Sequence, residues 1–89
     1  MSGGGRIGRQ HQVVVRDAGG RPVAGALVEV ARGTAPVPEV GRVTDAEGRL
    51  WLHLPPGSFT LQAETATGES GQAQADGEDD STIEIKVRK

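Results

Sequence analysis

The sequence predicts an all-β fold, a single seven-stranded antiparallel β-sandwich with Greek-key topology. Apolar and polar residues alternate with a period of two in several segments, as in RLWLHL and STIEIKVRK. Turn-forming residues separate these segments at intervals of roughly 8–12 residues. No segment has the i, i+3, i+4 apolar spacing of an amphipathic helix. Because period-two alternation gives a sheet one buried and one solvated side, two sheets packed together account for the pattern.

The first part of the chain contains a predicted arm and three predicted strands. Residues 1–11 are rich in glycine and lack apolar periodicity, which is typical of a flexible arm, and residues 12–89 are predicted to form the sandwich domain. Strands are predicted in HQVVVRD, ALVEVAR and VGRVTD. Gly20 and Pro22 are expected to shape a hairpin between the first two strands. The two prolines of GTAPVPE predict a loop before the third strand.

The second part contains four predicted strands, RLWLHL, SFTLQAE, GQAQA and STIEIKVRK. Gly48 is expected to let the chain enter the first of these, and Pro55-Pro56-Gly57 to fix a tight reversal before Phe59. Twelve apolar residues are predicted to point into the core: Val13, Val15, Val28, Val30, Leu50, Leu52, Leu54, Phe59, Leu61, Ile83, Ile85 and Val87.

The composition excludes several classes of function. At 89 residues the chain has the size of one small domain. It contains no cysteine, so neither a disulfide nor a cysteine-based metal site can form. A net charge of -2 argues against nucleic-acid binding. No apolar run reaches the roughly 20 residues that span a membrane, so no membrane insertion is expected.

The N-terminus has no apolar segment of the kind found in secretory signals. A cytoplasmic product is therefore expected if Met1 is the native start. An extracellular or cell-surface location is expected if the chain is part of a larger protein.

Three stretches of the chain, taken together, resemble a known family. They are VVVRDAGGRPVAGALVEV, TDAEGRLWLHLPPGSFTLQA and STIEIKVR. They resemble the carboxypeptidase regulatory-like domain of the transthyretin-like (prealbumin-like) superfamily, with CnaB-type adhesin domains as near relatives. The resemblance runs from Gln12 to Arg88. It implies a transthyretin-like, immunoglobulin-like β-sandwich of a kind that is mostly a non-catalytic module in adhesins, outer-membrane receptors, peptidases and secretion machinery.

The same resemblance bears on catalysis. The superfamily includes a hydroxyisourate hydrolase whose first strand carries a catalytic histidine before a Gly-Arg-Pro turn. Aligned on that turn, this chain has Val14 in place of the histidine, and it has no tyrosine for the hydrolase's C-terminal Tyr-Arg-Gly-Ser tail. The comparison implies that the chain is not an enzyme and needs no cofactor.

Two groups of residues have metal-binding chemistry without a matching spacing. The acidic loop from Asp76 to Asp80 offers the oxygen ligands that calcium prefers, but its spacing is not that of an EF-hand. His11 and His53 have no cysteine or carboxylate at motif spacing. We therefore expect no metal, and calcium in the acidic loop stays an open alternative.

The side of RLWLHL opposite its three leucines carries the candidate contact residues, Arg49, Trp51 and His53. In an antiparallel sheet the side chain of Trp51 is expected to lie over the stem of a neighbouring arginine or glutamine. Two interpretations stay open. Trp51 is either a partly covered surface aromatic or an anchor for a protein partner, since tryptophan and arginine dominate interface hot spots.

These observations favour a non-enzymatic interaction or adaptor module that binds a protein partner. Contact is expected through the Trp51 side of the sheet, through loop tips, or through an edge strand. The resemblance suggests an accessory of a bacterial secretion or surface assembly. The alternative is a structural stalk or spacer of a surface or adhesin protein. A carbohydrate-binding module ranks third, because such sites need several exposed aromatics, and no small-molecule ligand is expected.

The resemblance to CnaB-type domains also raises the question of an isopeptide bond, which in those domains joins a lysine of the first strand to a partner in the last. Here the only lysines, Lys86 and Lys89, both lie in the last predicted strand, and the chain has no asparagine. We predict that the intact mass equals the calculated mass. The loss of one water or one ammonia in intact-mass spectrometry would contradict this prediction.

Overall fold

The computed structural model describes residues 8–35, 41–79 and 81–89, and these residues form seven β-strands and no helix. No part of the described chain is therefore a helix long and apolar enough to cross a membrane. Each strand overlaps one of the predicted segments. The strands are β1 (Arg9–Arg16), β2 (Leu27–Gly33), β3 (Arg42–Val43), β4 (Arg49–Leu54), β5 (Ser58–Glu64), β6 (Ser70–Asp76) and β7 (Ile83–Lys86).

The strands form two sheets, with the orders β4-β1-β7 and β3-β2-β5-β6. One apolar core lies between them, so the predicted all-β sandwich of seven strands is confirmed. β5 returns beside β2 after the chain has passed through β3 and β4, which is the return expected of a Greek key. β1 and β7 pair in parallel, with Val13 opposite Ile83, and this pair departs from the antiparallel arrangement of the others.

The turn at Gly20 and Pro22 closes a short local hairpin, in which the N–H of Asp17 bonds to the carbonyl oxygen of Arg21 and the N–H of Val23 to that of Val15, each at 2.9 Å. β2 itself lies in the other sheet, so the expected pairing of the first two strands is wrong. Asp17 Oδ1 accepts hydrogen bonds from the backbone N–H groups of Gly19 (2.9 Å) and Arg21 (3.0 Å), and these bonds close a tight turn. Beyond the turn, a single bridge joins Arg16 to Pro22. The two ladder hydrogen bonds beside this bridge are made by the N–H groups of Asp17 and Val23, so the missing N–H of Pro22 costs no bond, and the chain then continues to the second sheet.

β1 begins at Arg9, so the predicted flexible arm of residues 1–11 is wrong for its last three residues. His11 is only 3% exposed, and its Nε2–H donates a hydrogen bond to the carbonyl oxygen of Gly77 at 3.2 Å. The residues RQHQ are all polar, so the sequence shows no alternation of apolar and polar residues from which the start of β1 could be predicted. The alternation of buried and exposed side chains becomes visible only when β1 is paired with β4. Residues 1–7 lie outside the described part of the chain.

The core contains eleven of the twelve predicted residues in buried form. The exception is Val30, which is half-buried and lies at a β-bulge between Val30 and Arg32. A bulge bends its strand and changes the direction of the side chains beside it. The core also includes Ala26, Ala63 and Ala75, whose small side chains complete the packing between the sheets.

Thr44 joins two chain crossings at one end of the sandwich. Its Oγ1–H donates a hydrogen bond to the carbonyl oxygen of Val23 (2.7 Å), and Oγ1 accepts one from the N–H of Ala26 (2.9 Å). The backbone N–H of Thr44 donates to the carbonyl oxygen of Ala26 at 2.9 Å. Since the buried hydroxyl is both donor and acceptor, its burial leaves no polar atom without a partner.

Gly48 lies where the chain leaves the β3–β4 turn and enters β4. Its φ is +75°, in the left-handed region that favours glycine. Its carbonyl oxygen accepts a hydrogen bond from the N–H of Val15 at 2.8 Å. A Cβ at this position would lie 2.8 Å from the carbonyl oxygen of Val15 and 2.9 Å from the nitrogen of Val23. Both the backbone conformation and the close approach of β1 therefore require glycine here.

We predict that Gly48→Ala lowers the free energy of unfolding by about 2–4 kcal/mol, because backbone strain and a backbone clash add together. Gly68→Ala is the matched control, since Gly68 has a φ of +91° but nothing within 4 Å of an added Cβ. The control should lose only about 1 kcal/mol. Urea unfolding measures both values. Equal losses would show that the contact with β1 contributes nothing.

The carboxylate of Asp45 stabilises the β3–β4 turn by accepting hydrogen bonds from backbone N–H groups. Its Oδ1 accepts hydrogen bonds from the N–H groups of Arg49 (3.0 Å) and Glu47 (2.8 Å). These two bonds, with a smaller contribution from the Arg49 charge, lower the pKa of Asp45 from its usual value of 3.8. A carboxyl group whose folded-state pKa is lowered stabilises the fold above its unfolded pKa, and this stabilisation is lost as the pH falls through the folded pKa.

We therefore predict that Asp45→Asn is less stable than the wild type at neutral pH, because a neutral amide oxygen is a weaker acceptor. The difference in stability should shrink as the pH falls below about 4 and the wild-type carboxylate takes up its proton. Urea midpoints measured across the acid range check this. A difference that does not change with pH would contradict the assignment of the carboxylate to the turn.

Candidate functional site

The outer face of the three-stranded sheet carries all of the predicted contact residues. Its side chains alternate with buried ones along each strand, and they point away from the core because of that alternation. We name this surface the β4–β1–β7 face. It consists of Gln10, Gln12, Val14 and Arg16 from β1, Arg49, Trp51 and His53 from β4, and Glu84 and Lys86 from β7.

Trp51 is the largest exposed apolar side chain on this face. It is 56% exposed, although the leucines on either side of it in β4 are buried. β4 ends its sheet, so among the described strands only β1 pairs with it. Gln12 lies directly opposite Trp51 in the register. A large aromatic side chain is thus presented to solvent at the margin of a sheet.

Arg49 and His53 lie one step to either side of Trp51 on the same face of β4. Arg49 is exposed and lies opposite Val14, whereas His53 is half-buried and lies opposite Gln10. The structure therefore brings the three predicted residues together on one surface. Their role in binding a partner stays a prediction.

Val14 gives the face an apolar centre that the sequence did not reveal. It points outward, yet it is only 7% exposed. In the register it lies between Arg49 of β4 and Glu84 of β7. Long side chains on neighbouring strands cover apolar surface with their aliphatic stems, and this explains the burial of an outward valine. The only signal in the sequence is the run of three valines, because alternation explains two of them as core residues and leaves Val14 as an apolar residue that points outward.

The charges on the face differ in how far they are neutralised. Arg16 Nε lies 2.7 Å from Glu84 Oε2 in an ion pair, and Arg16 Nη1 donates to the carbonyl oxygen of Gly20 at 3.2 Å. Arg49 and Lys86 are exposed, and neither side chain makes a hydrogen bond or ion pair with another described residue. As far as the described residues go, both cations can therefore contact another molecule, although the charge of Arg49 also acts on the carboxylate of Asp45.

The two histidines lie on opposite sides of the three-stranded sheet. His11 points into the core and bonds to Gly77, whereas His53 points outward beside Trp51. They cannot share a metal ion. Within the described ranges, no group of three or more histidine, aspartate and glutamate side chains is arranged to hold a metal.

The acidic loop uses its carboxylates to shape its own backbone. Asp76 Oδ1 accepts a hydrogen bond from the N–H of Glu78, and Asp79 Oδ1 accepts one from the N–H of Ser81, each at 2.9 Å. Asp80 lies outside the described residues. Part of the oxygen capacity that calcium would need is thus used within the loop, and calcium binding stays untested.

A shallow cavity of about 280 Å³ lies at the second sheet, where β2, β5 and β6 meet. Its lining includes Arg32, Thr34, Ser58 and Thr60 beside the buried ring of Phe59. The polar groups are largely bonded to one another. The N–H of Ser58 donates to Thr34 Oγ1 at 3.0 Å, and Thr60 Oγ1 donates to a glutamine amide oxygen of β6 at 3.3 Å. The cavity therefore offers no converging set of free polar groups.

Comparison with known families agrees with this architecture. The chain matches the family described as carboxypeptidase regulatory-like domain over residues 12–88, which takes in all of β2 to β7 and most of β1. No curated protein matches the chain. Domains of this family are non-catalytic regulatory modules. The chain therefore belongs to the carboxypeptidase regulatory-like domain family of the transthyretin-like superfamily, as its turns and strands predicted.

Proposed function

We propose that the protein is a non-enzymatic interaction module that binds a protein partner through the β4–β1–β7 face. The observation that carries the proposal is the exposure of Trp51, which is 56% accessible on a strand whose other two outward residues are Arg49 and His53. Burying an exposed tryptophan removes a large apolar surface from water, which is the main favourable term in protein association.

The neighbours of Trp51 support an anchor rather than an isolated surface aromatic. Val14 lies on the next strand, one step along the face, and Gln12 lies directly opposite. An aromatic residue beside an apolar centre, with arginine and amide groups around it, has the composition of a hot spot with a polar rim. Since the backbone of β1 is paired on both sides, the surface around Val14 is held rigid before a partner arrives.

The chemistry of the same face supports a role without catalysis. Val14 occupies the position at which the related hydrolase has its histidine, and an aliphatic side chain cannot transfer a proton. His53 has no serine or carboxylate hydrogen-bonded to it within the described residues, so no nucleophile and base are paired there. The family context supports a setting as an accessory of a bacterial secretion or surface assembly.

Co-purification with Trp51→Ala tests the proposal. Val43→Ala is the matched control, because Val43 is 58% exposed but lies on β3 of the other sheet. We predict that the wild type and Val43→Ala retain the same partner. Trp51→Ala should bind that partner at least about tenfold more weakly, as expected of a hot-spot residue.

Thermal unfolding of the two variants by circular dichroism shows whether each is folded. A partner that binds folded Trp51→Ala as tightly as the wild type would place the contact elsewhere on the molecule, and the proposal would be wrong.

A further inference from the structure

We infer that the β4–β1–β7 face takes an acidic segment of its protein partner, with carboxylates bound by Arg49 and Lys86 and an apolar side chain placed against Trp51. This inference rests on the proposed function and names the chemistry of the partner. It depends on the sign of the charge on the face, on the spacing of the two cations, and on the position of the tryptophan next to Arg49.

The charge of the face is opposite in sign to that of the chain. The face carries three cations, Arg16, Arg49 and Lys86, against the single carboxylate of Glu84. The chain as a whole has a net charge of -2. A positive surface on an acidic protein attracts acidic partners to that one side and repels them from the others.

Carboxylates are gathered on the opposite sheet and in the turns. Glu29, Glu64 and Asp76 are exposed on β2, β5 and β6. Asp45 and Glu47 lie in the turn that precedes β4, and the carboxylate of Asp45 is already bonded to two backbone N–H groups. The strands of the second sheet also carry the exposed Arg32 and Arg42, so their net charge is close to neutral and slightly negative. The net positive charge lies on the β4–β1–β7 face, where an acidic segment meets the least repulsion.

The two available cations flank the apolar centre. Arg49, Val14 and Glu84 form one row across the three strands, and Lys86 lies two residues beyond Glu84 along β7. With a strand spacing of about 4.8 Å and a rise of about 3.3 Å per residue, the two cation positions are about 12 Å apart. An extended chain spans about 13 Å over four residues, so carboxylates at i and i+4 match the two cations.

The end of the face that has no lysine, arginine or carboxylate determines what lies next to the carboxylates of the partner. Trp51, Gln12, His53 and Gln10 occupy the two rows beyond Arg49. A polyanion without apolar groups, such as a phosphate backbone, would leave Trp51 exposed and would need a longer row of cations than this face provides. An acidic peptide segment with an apolar side chain satisfies both ends of the face.

The test uses the heptapeptide Thr-Glu-Thr-Leu-Thr-Glu-Thr, which in an extended conformation places the leucine on the same side as the glutamates at i and i+4. It carries fluorescein on its N-terminus and is amidated, and a matched peptide has both glutamates replaced by glutamine. Fluorescence anisotropy gives the affinity of each peptide for the whole chain. The emission of Trp51, the only tryptophan, reports whether the face is covered. The protein variants are Arg49→Gln, Lys86→Gln, Trp51→Ala and Arg32→Gln. The last is a matched control, because Arg32 is an exposed arginine on β2 of the other sheet.

We expect the glutamate peptide to bind more tightly than the glutamine peptide, to shift Trp51 emission to the blue, and to bind more weakly as salt is added. Arg49→Gln and Lys86→Gln should each weaken binding about two- to fivefold, the range of an exposed ion pair. Arg32→Gln should leave the affinity unchanged, and Trp51→Ala should abolish measurable binding.

Other outcomes overturn the inference in distinguishable ways. Equal binding of both peptides, lost in Trp51→Ala, would leave the proposed function standing and reject the acidic partner. Undiminished binding to Trp51→Ala would count against the proposed function as well. The absence of binding by either peptide would reject the acidic segment. A concentration-dependent shift of Trp51 emission without peptide, with a dimer in sedimentation, would show that a second copy covers the face.

Discussion

The structure depends on a group of hydrogen bonds that fixes how the chain passes between the two sheets. The N–H of Val15 bonds to the carbonyl oxygen of Gly48, and Thr44 bonds to Val23 and to Ala26. These bonds connect the β1–β2 crossing to the β3–β4 crossing. Because Gly48 sets the residue at which β4 begins, it also sets which residues of β4 face the core. A slip of one residue would turn Trp51 inward and Leu52 outward, so the surface of the protein depends on a contact in its interior.

A second group of contacts closes the other end of the sandwich without a disulfide. The N–H of Gly77 donates to the carbonyl oxygen of Gly57 at 2.8 Å, and the carbonyl oxygen of Gly77 accepts from His11. A side chain at Gly77 would collide with the backbone of Pro55. In a cysteine-free chain of this size, backbone contacts of this kind supply the restraint that covalent links supply in other small β-domains.

The alternation of apolar and polar residues predicted the fold class and most of the core, because only one orientation of β4 buries its leucines and only one orientation of β7 buries its isoleucines. It also placed Arg49, Trp51 and His53 on a common face, since that follows from a single strand. Alternation within a strand says nothing about which strands are neighbours. The parallel pairing of β1 with β7 brings together residues about seventy positions apart, and so the roles of Val14 and Lys86 in the face became visible only with the register. The passage of the chain to the second sheet after β1 could not be predicted either. Its turn residues are typical of a hairpin and do not show which sheet the next strand joins.

The parallel pairing of the first and last strands also determines how the domain responds to force. Residues Val13 to Arg16 lie beside Ile83 to Lys86 in the same direction. When tension is applied through the residues that precede β1 and follow β7, the two strands are pulled along their length in opposite directions. The hydrogen bonds between them are then loaded together in shear and do not open one after another like a zipper. The same β1–β7 ladder that assembles the β4–β1–β7 face is therefore also the part of the fold that resists separation of the two ends of the domain.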